Sequence, residues 1–242
     1  MNMINNLISK IFIIIFCLIF TNNLFDATNV KGAETEYIIT MTKIELCETG
    51  STISNCLNPI NITTGNGASA DIAGVEAGQA AATVADFGKA TLGKTYTYIQ
   101  TTMSRAMTIT GKAGTSGKCT TKAGVNGALN TAGAVGALNG TPGSAILYVP
   151  FFSQDLTNYS MMEGSDENGE NLATLATVRN TDTHFRSRQI LTSPYTPVAG
   201  SSPTVFVAFD TSVAVNELND ASCTDAGLQA APPTVTLTVQ GQ

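Results

Sequence analysis

The chain carries a single histidine, His184, and two residues before it stands Asp182. On an extended strand, residues two apart share a face, so the pair has the spacing of the base and orienting acid of a Ser–His–Asp relay, with any of many serines as nucleophile. No Gly-x-Ser-x-Gly elbow, no His-Glu-x-x-His and no Gly-x-Gly-x-x-Gly accompanies it. We therefore expect His184 to serve packing or the surface, and the chain not to be an enzyme. Gly93-Lys94-Thr95 has the end of a phosphate loop, but the upstream glycine is missing and β-forming residues follow where a helix should begin. A carboxylate pair for glycoside hydrolysis stays open, although a chain without Trp and with 7% aromatic residues supplies few platforms for sugar stacking.

Asp166, Asn168 and Glu170 place oxygen side chains at alternate positions beside Gly164 and Gly169, a pattern suited to a hard cation such as calcium. The EF-hand register is absent, since Gly169 falls fourth from Asp166 and Thr177 occupies the twelfth position. A solvated acidic turn is the expectation and a calcium site its alternative; no other cofactor is expected. The acidic stretch 163–170 (EGSDENGE) is followed by Arg179, Arg186 and Arg188. Such a separation of charge either joins subunits head to tail or forms two solvated faces, which makes these three arginines the candidate interaction residues.

Four cysteines lie beyond residue 32: Cys47, Cys56, Cys119 and Cys223. Their even number suits an oxidising compartment, and three pairings are open. We expect Cys47 with Cys56, which flank a polar connection, and Cys119 with Cys223, which would close a loop of about 100 residues and contribute about 4–5 kcal/mol in the chain-entropy view. A zinc site fits poorly, because no two cysteines lie two to four residues apart and one histidine cannot complete a usual ligand set.

The elements that must position these residues read as β throughout. Residues 37–47 (YIITMTKIELC) mix β-branched and apolar residues with Thr40, Thr42, Lys43 and Glu45, as a half-buried strand does. Residues 95–110 form a second long strand in which Ile99, Met103, Met107 and Ile109 share one parity and Thr101 and Arg105 interrupt it. Further strands are expected over 144–152, 204–215 and 234–239, the last with strict alternation; residues 71–90 are ambiguous between loop and short helix. Residues 111–143 are rich in Gly, Ala, Thr and Asn and repeat GALN at 127–130 and 136–139. They read as a long surface insertion anchored by Cys119, or as small residues that let backbone approach a neighbouring subunit.

Export is the reading of the N-terminus. Residues 11–20 (IFIIIFCLIF) form ten consecutive apolar or Cys residues after Lys10. That is the length of a secretory apolar core and shorter than the roughly 20 residues a membrane-spanning helix needs, so no span is expected in the mature chain. Val30 and Gly32 satisfy the small-residue rule for cleavage before Ala33, whereas Phe25 and Asp26 make Ala27 the poorer site. A leader over 1–32 leaves one β domain over 33–242 that carries the 111–143 insertion. The 242-residue chain has a formal charge of −6. An acidic chain without a basic patch has no means of neutralising phosphates, so nucleic acid is not an expected partner.

The run YIITMTKIELCETG followed by DFGKATLGKTYTYIQTTMSRAMTI resembles the recurring layout of secreted bacterial β-sandwich domains of unknown function, many from marine species. Lys43, Ile44, Glu45, Leu46 and Cys47 match the end of their first long strand, and Leu92, Gly93, Tyr96 and Ile99 approximate the entry to the next. The likeness covers residues 37–110. It implies a prealbumin-like or immunoglobulin-like sandwich and brings no catalytic residues. The function expected is an exported structural protein of the cell surface or matrix that associates with itself or with other surface proteins; the alternative is an adhesion module for glycan or protein. Terminal strands, over 33–40 or 234–242, are candidates for exchange between copies, against pairing within their own domain.

Overall fold

The computed structural model describes residues 29–32, 34–73, 85–114, 117–130, 133–149, 162–174, 177–200, 204–212, 214–218, 223, 227–230 and 234–240. The apolar run 11–20, the centre of the ambiguous stretch 71–90 and the end of the run 144–152 lie outside them. In chain order the strands are β1 (Asn29–Gly32), β2 (Glu34–Glu48), β3 (Ile60–Asn61), β4 (Ala68–Asp71), β5 (Tyr96–Ser104), β6 (Ala106–Ala113), β7 (Cys119–Thr120), β8 (Ala137–Leu138), β9 (Ala145–Tyr148), β10 (Met162–Ser165), β11 (His184–Tyr195), β12 (Thr204–Asp210), β13 (Val215–Leu218), β14 (Leu228–Ala230) and β15 (Thr234–Gln240). A 3-10 turn, Phe87–Lys89, is capped by the Asp86 carboxylate, which accepts from the Gly88 amide.

The fold is all-β and sandwich-like. A curled antiparallel sheet runs β10-β11-β5-β2-β6-β7-β8, with β3 and β4 also on β2 and β9 on β6; β1-β13-β14 form a smaller sheet and β12-β15 a ribbon. Tyr37, Ile39, Met107, Ile109 and Leu147 of the large sheet bury against Val215, Leu228 and Ala230 of the small one. A second cluster gathers Ile44, Leu46, Ile99, Leu191 and Tyr195. β2 serves both clusters although its buried residues change from odd to even positions. Its pairing with β5 shifts register between Met41 and Lys43, and this extra residue keeps Tyr37, Ile39, Ile44 and Leu46 on one face.

The strand expected over 95–110 is two strands divided at Arg105. Met103 lies opposite Met41 and Thr108 opposite Ile38, so residues 104–107 face only Ile39 and Thr40. At this kink the outer neighbour changes from β11 to β9. The run 204–215 also divides, because the Asp210 carboxylate accepts from the Ser212 amide and ends β12 before the chain enters β13 in the other sheet.

The described residues of 111–143 join the sheets at several points. Gly111 pairs with Glu34, β7 extends the sheet from β6, and Ala134 bridges to Leu228 of β14. A Cβ on Gly133 would stand 1.5 Å from the Leu228 carbonyl oxygen, and one on Gly136 2.7 Å from Leu228 Cδ1. Small residues here do permit close backbone approach, to β14 of the same chain. The two GALN copies differ in role: Leu129 lies in a connection, whereas Leu138 is on β8 with its side chain exposed.

Candidate functional site

Both expected disulfides are formed, Cys47–Cys56 with Cα atoms 5.1 Å apart and Cys119–Cys223 with Cα atoms 5.4 Å apart. The first closes the loop after β2, and the second joins β7 to the segment before β14. Cys119 and Cys223 are both fully buried.

Strand alternation gives the large sheet a polar face opposite its apolar one. On β11, Phe185 and Leu191 enter the core, which turns Arg186 and Arg188 to the other side. Register sets Glu163 of β10 beside Arg186, and Gln100 of β5 between Arg188 and Glu45 of β2. Glu163 Oε2 accepts from Arg186 Nε at 3.0 Å, Arg186 Nη2 at 2.7 Å and Arg188 Nη2 at 3.1 Å, and its Oε1 accepts from Arg188 Nη1 at 3.1 Å. Gln100 Nε2 donates to Glu45 Oε2 at 2.7 Å, and Lys43 Nζ lies 3.1 Å from Glu45 Oε1.

Two loops cover this face. Arg188 Nη1 reaches the Ile53 carbonyl inside the first disulfide loop, and Thr42 Oγ1 donates to the Glu167 carbonyl of the acidic turn. Burial raises the Glu163 pKa, but the hydrogen bonds and charges of Arg188 and Arg186 outweigh it and hold the carboxyl below its ordinary value. A carboxylate so held is a poor proton donor at neutral pH and a good clamp.

The expected separation of acidic and basic faces therefore does not describe Glu163, Arg186 and Arg188, which meet in one chain. Arg179 sits apart, half-exposed, with its guanidinium on Asp182 at 2.8 Å and on the Asn171 carbonyl. Gly164 is required beside this pair, because a Cβ there would stand 1.9 Å from Asp182 Oδ2.

Asp182 is thus turned to Arg179, and His184 Nδ1 instead meets Thr183 Oγ1 at 2.9 Å. Ser165 lies opposite His184 in register, with its hydroxyl buried and not bonded to the imidazole. Burial lowers the His184 pKa, opposed by the Glu167 and Asp166 charges. In the acidic turn, Asp166 Oδ1 accepts from the Glu170 amide at 2.8 Å and the Asn168 amide at 3.0 Å, while Oδ2 accepts from Asn171 Nδ2 at 3.2 Å. The backbone bond from Glu170 is the largest cause that lowers the Asp166 pKa. This carboxylate closes the turn; Asn168 and Glu170 stay exposed, and among the described residues no three His, Cys, Asp or Glu side chains gather as a metal site.

Sequence reasoning treated Arg105 as an interruption, and it is a hub that joins distant parts of the chain. It is fully buried and donates to four carbonyls on three main-chain segments: Nε to the Val149 carbonyl at 3.1 Å, Nη1 to those of Asp182 at 2.8 Å and Arg179 at 3.3 Å in one turn, and Nη2 to that of Leu129 at 3.2 Å. Burial lowers its pKa and the Asp182 charge opposes that. The available signal was a charged residue on the core parity of a strand.

At the end of β2 three loops meet. The Glu48 amide donates to the Leu57 carbonyl, the Thr49 amide to the Thr95 carbonyl, and the Gly93 amide to the Pro197 carbonyl. Leu92 and Val198 are more than half exposed on these loops and Leu57 more than a third, beside the Lys94–Glu48 ion pair. Among the described residues no helix is long and apolar enough to cross a membrane. No family model matches the chain, and neither does any curated protein or solved structure.

Proposed function

We propose that the protein is an exported structural subunit of a cell surface or extracellular matrix that associates with itself. One observation carries the reading: the interior commits its strongest polar groups to joining distant parts of its own chain. Arg105 ties three segments through four carbonyls, Glu163 clamps two arginines, and Cys119–Cys223 bridges a sequence separation of 104 residues. The disulfides suit an oxidising compartment, as does the resemblance of residues 37–110 to secreted domains. Negative-stain microscopy of the exported protein tests it. Ordered filaments or sheets are expected, and a monodisperse monomer at all concentrations contradicts self-association.

The three-loop end favours a second reading, an adhesion module. Leu57, Leu92 and Val198 are apolar, exposed and held on hydrogen-bonded loops, one of them closed by a disulfide. Replacing Leu92 and Val198 by Asp separates the two. Under the adhesion reading surface binding falls and particle morphology is unchanged, whereas under the structural reading adhesion to a glycan or protein surface is absent from the start.

A further inference from the structure

Removal of a leader before Ala33 would take β1 with it. β1 pairs with β13 along its whole length, Asn29 opposite Leu218, Val30 opposite Glu217, Lys31 opposite Asn216 and Gly32 opposite Val215. It is the outer strand of that sheet and also approaches β6. Val215 and Glu217 are fully buried and Asn216 nearly so. Without β1, the main-chain groups of β13 on that side lose their partners beside an apolar core, and a buried row of unpaired N–H and C=O groups is what folded chains avoid.

The bond that is cut must then precede Asn29 and follow the apolar run that ends at Phe20. In residues 21–28 (TNNLFDAT) Ala27 alone has the small side chain that the position before the bond requires. It is also the better placed. Ala27 lies seven residues beyond Phe20 and Gly32 twelve, reaches of at most about 25 and 43 Å in extended chain, so Ala27 stays nearer a membrane-bound peptidase.

Resting on the export reading, we infer that a leader peptidase hydrolyses the Ala27–Thr28 bond, water supplying the new carboxyl of Ala27 and the new amino group of Thr28, and that the mature protein keeps β1. Phe25 fills the second small-residue position badly, so the bond is cut slowly.

N-terminal sequencing and intact mass of material exported by a bacterial host carrying the full chain give the test. A chain beginning at Thr28 is expected. A start at Ala33 overturns the assignment by showing that β1 is dispensable, and any other start overturns the choice of bond. A chain that retains Met1 overturns the removed leader itself, which separates failure of the export reading from failure of this one. Ala27→Leu should accumulate uncut precursor and Phe25→Ala should speed cutting at the same bond; unchanged processing of Ala27→Leu refutes the proposal.

Discussion

Arg105 and Arg188 are both buried, yet they are held in opposite ways. Arg188 sits within a regular ladder, where main-chain groups pair with one another, and it answers a carboxylate, Glu163. Arg105 sits at a kink, where β9 and β11 part and four carbonyls of three segments point into the gap; its guanidinium answers those neutral acceptors. In the ladder the charge pair is a local choice that other side chains of similar volume can replace. At the kink the donor fork repairs the topology itself.

The largest effect should follow Arg105→Met. Each buried carbonyl left unpaired costs about 1–3 kcal/mol, so a loss above about 4 kcal/mol or failure to fold is expected, measured by urea denaturation. Arg105→Lys, with donors on a single nitrogen, should recover only part of this. A loss near 1 kcal/mol for Arg105→Met would break the comparison.

Next comes Glu163→Gln, which leaves two guanidinium groups without a counter-charge; removal of one partner from a buried pair costs about 3–5 kcal/mol. Glu163→Leu combined with Arg186→Leu and Arg188→Met should regain most of it, because the ladder needs volume more than charge. No combination of apolar residues should rescue position 105. Equal rescue at both sites would make the two arginines equivalent.

A smaller effect separates the sites by pH. The folded Glu163 pKa lies below its unfolded value, so its stabilisation is complete above about pH 4.3 and is lost as pH falls through the lower folded value. Main-chain carbonyls do not titrate in this range. Hydrogen exchange should therefore show β10 and β11 amides losing protection in acid before those of β6 and β9, and Glu163→Gln should flatten that difference. The smallest change belongs to His184. Its folded pKa is lowered, so stability declines as pH falls below about 6.5 and levels off below the folded value. His184→Gln should remove that shallow step from a melting series.

β2, β5, β6, β9, β12 and β15 overlap the runs legible as strands, whereas β11 was not read, although Phe185 and Leu191 enter the core, because Arg186 and Arg188 on its other face were taken as solvated charge. Arg105 was visible as a break in parity but not as a hub, because its acceptors come from residues 129, 149, 179 and 182, whose proximity is a property of the fold. Glu163 and Arg188 were read as separate faces because their meeting depends on the β10–β11 register. The close approach that residues 111–143 permit was read toward a neighbouring subunit for a related reason. A run of small residues signals close approach without naming the partner, and Leu228 lies about a hundred residues away. The disulfides were within reach because four cysteines allow so few pairings.

β1 is among the first parts of this sheet to leave the ribosome, and its partner β13 is among the last, with Gly32 waiting for Val215. Synthesis runs at about 5–20 residues per second, so some ten seconds or more separate the two strands. Throughout that interval the smaller sheet cannot close and Cys119 has no Cys223 to join. The small sheet and the long disulfide therefore close last, after a long unfinished period in which the chain remains threadable, and that side becomes rigid only when β13 and Cys223 have emerged.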